Sequence, residues 1–179
     1  MIEHAGLSPH LLLFSRVAVG LLFSTSLAGK LRSPSRFRDD LLAFGLLPAR
    51  WTPAVAALLL GTEAIVVLLI AAGGPFAVAG LAVAIGLLVL FCGAIASALQ
   101  RELNVSCGCF GTSERRISQA DLVRNGGFIA CAAAGLWAAL GSTRMAVPAA
   151  EAVLLSLAAV AFTLVWSQLG NLIDLFQRS

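Results

Sequence analysis

Long runs of apolar residues, nearly free of charge, dominate the 179-residue chain. Each run is close to the ~20 residues that an α-helix needs to cross the hydrocarbon core of a bilayer. The chain is 59% hydrophobic and only 12% charged, whereas soluble domains carry about 25% charged residues. Backbone polar groups in lipid must be hydrogen-bonded internally, so such runs fold as helices. We therefore predict an all-α integral membrane protein, a bundle of four to five transmembrane helices in the lipid bilayer.

The order of these runs predicts one multi-pass domain that fills residues 1–179. After the first run, Phe37, Leu41 and Phe44 recur at helical spacing, which predicts a short amphipathic helix on the membrane surface. Gly45 and Pro48 are expected to end that helix. A polar loop at 100–117 separates the third and fourth runs. The transmembrane helices are expected at about 9–30, 53–72, 76–99, 118–140 and 149–166.

The composition excludes several kinds of function. The net charge is only +3, and no basic face is interleaved with exposed aromatic residues, so the chain does not resemble a nucleic-acid-binding protein. Histidine occurs twice, at His4 and His10, and tyrosine does not occur. Acid–base catalysis by histidine is therefore disfavoured, and cysteine is the main chemical resource. The four cysteines are Cys92, Cys107, Cys109 and Cys131.

Cys107 and Cys109 lie one residue apart in the polar loop, separated by Gly108. Two such thiols can close a small, strained disulfide, and strained, exposed disulfides tend to be labile and catalytic. The nearby Arg115 and Arg116, with the start of the fourth helix, would favour the thiolate form. The pair is a candidate catalytic site for thiol–disulfide exchange. A static bridge or two incidental cysteines remain alternatives, and a structural zinc site would need more ligands than the loop offers.

Cys92 and Cys131 lie inside the third and fourth helices. Counting from the helix ends at ~1.5 Å per residue, both lie roughly 10–15 Å below the surface that bears the loop. At a shared depth they could pair, or form a relay between the loop thiols and a lipid-soluble electron acceptor. The alternative is that both are small residues of the helix packing.

Arg16 and Glu63 are charges deep inside predicted helices. Charged side chains are costly in lipid, and they usually pair or line a functional cavity. An extended Arg16 side chain could reach Glu63. The two residues are therefore either a clamp between the first two transmembrane helices or part of a proton or quinone site.

Several motifs together resemble the MauE family of methylamine-utilisation accessory membrane proteins, which is related to DoxX-like membrane proteins. The most specific is Ser106-Cys107-Gly108-Cys109-Phe110-Gly111, followed by Leu122-Val123-Arg124-Asn125 at the start of a helix. Ala28-Gly29-Lys30-Leu31, Phe44-Gly45-Leu46-Leu47-Pro48 and Glu63 also match. The resemblance covers about residues 14–140.

The resemblance implies a part in making or transferring disulfides, with Cys107 and Cys109 as the redox pair. In the family this role serves maturation of the cross-linked small subunit of methylamine dehydrogenase. It implies a client thiol protein and a thioredoxin-like partner, and electrons would pass to or from that partner or a quinone. A relay through Cys92 and Cys131 is not part of the motif. The competing functions are a soft-metal carrier for copper or mercury, since thiolates bind such metals, and a non-catalytic membrane scaffold.

Charge and resemblance disagree about which side of the cell membrane carries the cysteine loop. With five transmembrane helices, the first and third loops share one face, and this face holds most of the basic residues. The positive-inside rule would place that face in the cytoplasm, where thiols are kept reduced. Disulfide donation requires the outer face, and on the resemblance we expect the loop there. The basic residues on the loop face are Lys30, Arg32, Arg36, Arg38, Arg50, Arg101, Arg115, Arg116, Arg124 and Arg178.

Overall fold

The computed structural model describes residues 4–103, 117–141 and 147–168, and the side chains from Ser8 onward. Within these ranges the chain is helical and has no β-strand. A single 3-10 turn, Ala49–Trp51, precedes α3. The helices are α1 His4–Arg32, α2 Pro34–Ala43, α3 Thr52–Ala72, α4 Gly74–Gln100, α5 Gln119–Gly141 and α6 Ala149–Ser167.

Five of these helices, all except α2, are long and apolar enough to cross a membrane. The predicted fold class, an all-α membrane bundle with a short amphipathic helix after the first transmembrane helix, is confirmed. In α2, Phe37 is buried against the bundle, and so is Phe44 just after the helix, while Leu42 points outward. The first helix begins earlier than the apolar run suggests, at His4.

Glycine and proline set the ends of the helices. Pro34 occupies the first turn of α2, where its missing N–H costs no hydrogen bond. Gly45 follows α2 with φ +62°, a conformation that glycine adopts without strain. Gly73 has φ +75° and reverses the chain between α3 and α4. These turns explain why α2 ends after one short segment and why α3 and α4 are adjacent antiparallel helices.

The helix α1 lies at the centre of the bundle and packs against α3, α5 and α6, while α4 lies between α3 and α5. The core between them contains Leu22, Phe23, Leu81, Leu88 and Phe128, each at most 1% exposed. The helix α6 is the least buried and presents most of its apolar side chains outward. In a lipid environment such exposure is expected, because the acyl chains cover it.

Small residues allow the helices to approach closely. A β-carbon added at Gly80 would lie 2.9 Å from the Ile70 side chain of α3. One added at Gly135 would lie 2.8 Å from Oγ of Ser15 in α1. Both glycines are buried at helix contacts. Their lack of a side chain therefore brings α4 against α3 and α5 against α1.

One end of the bundle, which we call the α2 face, carries α2 and both ends of the connection between α4 and α5. A small cluster joins them there: Phe44 and Ala98 pack with Leu103 and Ile117. The Arg101 guanidinium also donates to the Phe44 carbonyl at 3.5 Å. The C-terminal ends of α1 and α4 and the N-terminal ends of α3 and α5 therefore lie at this face.

Candidate functional site

Cys107 and Cys109, the predicted redox pair, lie outside the described residues. The flanking helices fix where the chain enters and leaves their loop: α4 ends at Gln100 and α5 begins at Gln119. Both ends lie at the α2 face. The pair therefore belongs to a connection that starts and finishes beside α2 and the C-terminal end of α1.

The N-terminus of α5 is capped by a Ser-x-x-Asp pattern that runs from Ser118 to Asp121. Oδ2 of Asp121 accepts hydrogen bonds from the backbone N–H of Ser118 at 2.9 Å and from its hydroxyl at 3.4 Å. The other carboxylate oxygen pairs with the Arg124 guanidinium at 3.2 Å. Asp121 and Arg124 are both buried. The loop that carries the cysteines thus leads into a helix end fixed by a capping box and an ion pair.

The most buried charges in the described chain form an ion pair between Lys30 of α1 and Glu63 of α3. Lys30 is 1% exposed and Glu63 is 0% exposed. The Ser26 hydroxyl, one helical turn before Lys30, donates to the same carboxylate oxygen at 3.5 Å. The second oxygen of Glu63 has no hydrogen-bond partner among the described residues. The pair links α1 to α3 inside the bundle.

Two aromatic rings cover the Lys30 ammonium. Its nitrogen lies 5.0 Å from the ring centre of Phe37 in α2 and 4.9 Å from that of Phe91 in α4. Both separations are within the range of cation–π attraction. A lysine near a helix end in lipid normally extends its ammonium to the water interface. Lys30 instead points into the bundle, so that one cation connects α1, α2, α3 and α4.

The suggestion that Arg16 pairs with Glu63 is wrong. Arg16 donates from Nη2 to the carbonyl of Ile70 at 3.0 Å. This carbonyl belongs to the last turn of α3, whose final carbonyls have no partner within the helix. Gly73 approaches the same guanidinium, since a β-carbon there would lie 2.9 Å from Nη2. Arg16 therefore satisfies the C-terminal end of α3, at the end of the bundle opposite the α2 face.

Cys92 and Cys131 are free thiols, and their surroundings differ. The Cys92 thiol lies beside the Asn125 side chain of α5, although no hydrogen bond to either amide atom meets normal geometry. Cys131 donates to the Ser15 hydroxyl of α1 at 3.7 Å. Cys131 lies six residues, or about 9 Å, further along α5 than Asn125. No disulfide joins the two thiols, and their shared depth stays a prediction.

A cavity of about 350 Å³ opens between α2, α3 and α4 near the α2 face. Its walls are almost wholly apolar and include Phe37, Phe91 and Ala94. The lining residues Leu58 and Leu90 are 68% and 55% exposed, so the cavity opens sideways, towards the position of lipid. Asn125 is a polar lining residue that is only 1% exposed. An apolar chamber with few polar groups is typical of small-molecule sites.

No group of three histidine, cysteine or acidic side chains within 4–103, 117–141 and 147–168 is arranged to hold a metal ion. Sequence reasoning missed two of the residues that define this region, Lys30 and Asn125. In the sequence, Lys30 stands out only as part of the basic flank of the first helix and of the Ala28-Gly29-Lys30-Leu31 motif. Asn125 belongs to the Leu-Val-Arg-Asn motif. It lies four residues after Asp121, and residues at this spacing share one face of a helix, so the spacing indicates that both side chains point the same way.

A family model described as methylamine utilisation protein MauE matches residues 8–138. That range covers α1 to α5 except the first turn of α1 and the last three residues of α5, and it includes the Cys107–Cys109 loop. No curated protein and no solved structure matches the chain.

Proposed function

The chain belongs to the MauE family, the accessory membrane proteins of methylamine utilisation, and from this premise we propose that it is a membrane thiol–disulfide oxidoreductase. Its redox-active cysteines are Cys107 and Cys109. The observation that carries the proposal is the Cys-Gly-Cys sequence in the loop between α4 and α5. The helices place both ends of that loop at one end of the bundle, beside the surface helix α2.

The chemistry is an exchange of one disulfide. The two thiols of a client protein become a disulfide, and the Cys107–Cys109 disulfide becomes two thiols, so two electrons and two protons move to the loop pair. A ring closed through a single glycine is strained, and strain favours this direction. Positive charge from Arg115 and Arg116, together with the start of α5, favours the thiolate that exchange requires.

The loop pair must then be reoxidised. Two electrons and two protons leave it, either to a quinone, which becomes a quinol, or to the disulfide of a thioredoxin-like protein. We place the chain in the cell membrane, with the loop at the outer face, where disulfides persist. The methylamine dehydrogenase small subunit is the client that the family name favours.

The buried charges support this assignment because they hold the helices on either side of the cysteine loop together. The Lys30–Glu63 pair and the rings of Phe37 and Phe91 tie α2 to the three helices that surround it. Asp121 and Arg124 hold the first turn of α5. The loop is therefore attached at both ends to rigid parts of the bundle, as a site that must present two sulfurs to a partner requires.

The test compares single Cys107→Ser and Cys109→Ser variants in cells that produce a client with a countable disulfide. Each variant should abolish client oxidation, and one of them should accumulate a mixed disulfide with the client or with a thioredoxin-like protein. The matched control is Cys131→Ser, which changes a thiol bound to Ser15 inside the bundle and should leave oxidation intact. Undiminished client oxidation in both loop variants would overturn the proposal. Mercury or copper bound in a 1:1 ratio, with no exchange, would indicate a metal carrier instead.

A further inference from the structure

The cavity between α2, α3 and α4 has one feature that packing does not explain. Both polar atoms of the Asn125 amide lack a hydrogen-bond partner among the described residues, although the side chain is buried and lines the cavity. A buried amide without partners costs free energy comparable to that of a lost hydrogen bond. Such a group in a native protein requires an explanation, and a bound ligand that hydrogen-bonds to the amide is one.

The geometry points to a membrane quinone as that ligand, with its ring in the cavity and the Asn125 amide as its polar contact. An amide carries both a donor and an acceptor. Its N–H₂ group can donate to a quinone carbonyl, and its oxygen can accept from a quinol hydroxyl. A rotation of the amide therefore lets the same side chain bind both oxidation states.

The walls suit a flat ring with a long apolar tail. Phe37 and Phe91 both line the cavity, and aromatic rings attract one another in offset or edge-on arrangements. The volume of about 350 Å³ lies within the ~300–1,000 Å³ of small-molecule sites. An isoprenoid tail can leave past the exposed Leu58 and Leu90 into the bilayer. A phospholipid tail has no group for Asn125 to bind, which is why we favour the quinone.

The position fits electron exchange with the loop pair, and in this respect the inference rests on the proposed function. Asn125 lies six residues after the start of α5, and Ala94 lies six residues before the end of α4. Both are therefore about 9 Å from the helix ends that carry the Cys107–Cys109 loop. The balanced step is oxidation of the two loop thiols to a disulfide, with two electrons and two protons reducing one quinone to a quinol.

The test uses the full chain in phosphatidylcholine nanodiscs and a photoreactive ubiquinone analogue as the probe. Labelling should be saturable, should fall on lining segments of α3 and α4, and should be displaced by unlabelled ubiquinone. Asn125→Leu removes the polar contact, and Ala94→Phe fills the cavity. Each should weaken binding at least tenfold. The matched control is Ala82→Phe, which adds the same ring to an exposed position of α4 and should leave binding unchanged.

The outcomes separate this inference from the proposed function. A Cys107→Ser/Cys109→Ser double variant should still bind the probe, and Asn125→Leu should still exchange disulfides with a reduced client for one turnover. Binding that neither Asn125→Leu nor Ala94→Phe weakens would overturn the quinone site. So would displacement of the probe by a short-chain phosphatidylcholine as readily as by ubiquinone. The thermal melting of each variant in detergent shows that it is folded, and Ala94→Phe provides a test that does not depend on Asn125.

Discussion

Lys30 and Glu63 form an ion pair in which neither side chain is more than 1% exposed. The lysine comes from near the end of α1, and the glutamate lies near the middle of α3. The ammonium points towards the centre of the bundle, where the rings of Phe37 and Phe91 cover it. A single buried cation therefore fixes the positions of four helices relative to one another, including the surface helix α2.

Removing either partner of this pair should strongly destabilise the protein. Lys30→Met leaves Glu63 as an unpaired buried carboxylate, and Glu63→Met leaves an unpaired ammonium, a change that typically costs about 3–5 kcal/mol. The double variant Lys30→Met/Glu63→Met should recover most of that loss, because no lone charge remains. Unfolding of the purified protein in detergent, followed by helical circular dichroism, measures all three. Arg36→Met on exposed α2 is the matched control. Equal losses in the single and double variants would contradict this account.

Arg16 should stabilise the end of α3 through a charged hydrogen bond. Arg16→Met removes the donor to the Ile70 carbonyl, and hydrogen bonds to charged groups contribute about 1.5–3 kcal/mol. We expect faster amide hydrogen exchange at the end of α3 and at the start of α4, with little change around Lys30. Hydrogen exchange read by mass spectrometry measures this. Protection that falls equally throughout α3 would show that Arg16 acts on the whole helix instead.

Gly135 and Gly86 should respond oppositely to the same substitution. Gly→Ala in a helix normally stabilises by roughly 0.5–1 kcal/mol. At Gly86 the added methyl group meets nothing within 4 Å, so this gain should appear. At Gly135 it would meet the Ser15 hydroxyl at 2.8 Å and separate α1 from α5, so a loss is expected. Melting temperatures of the two variants, measured side by side, decide the matter. A stabilising Gly135→Ala would show that this contact is not tight.

Labelling of the loop thiols can show which side of the membrane the cysteine loop faces. In a Cys92→Ala/Cys131→Ala background, the only remaining thiols are Cys107 and Cys109. We expect a membrane-impermeant maleimide to label intact cells after mild reduction, since disulfide donation requires the outer face. Labelling that needs broken cells would follow the positive-inside rule. It would mean that the loop faces the cytoplasm and carries reducing equivalents outward rather than disulfides.

Hydropathy determined much of the architecture of this chain. Lipid accepts a backbone only if its hydrogen bonds close within a helix, so each apolar run had one available structure. The turns at Gly45 and Gly73 and the cap formed by Ser118 and Asp121 are local features, and the sequence contains them completely. The cysteine motif likewise follows from adjacent residues and needs no tertiary information.

Only the tertiary structure decided which distant residues meet. Position along a helix gives a depth, but it gives neither the direction in which a side chain points nor the offset between neighbouring helices. Lys30 rather than Arg16 is therefore the partner of Glu63, and Cys92 lies beside Asn125 of the neighbouring helix. The cavity is likewise a product of three-dimensional packing, because each wall comes from a different helix. The same is true of the Asn125 amide, which has no hydrogen-bond partner among the described residues. The sequence of each helix determines which of its side chains can be buried. The tertiary packing determines which neighbouring helix covers them.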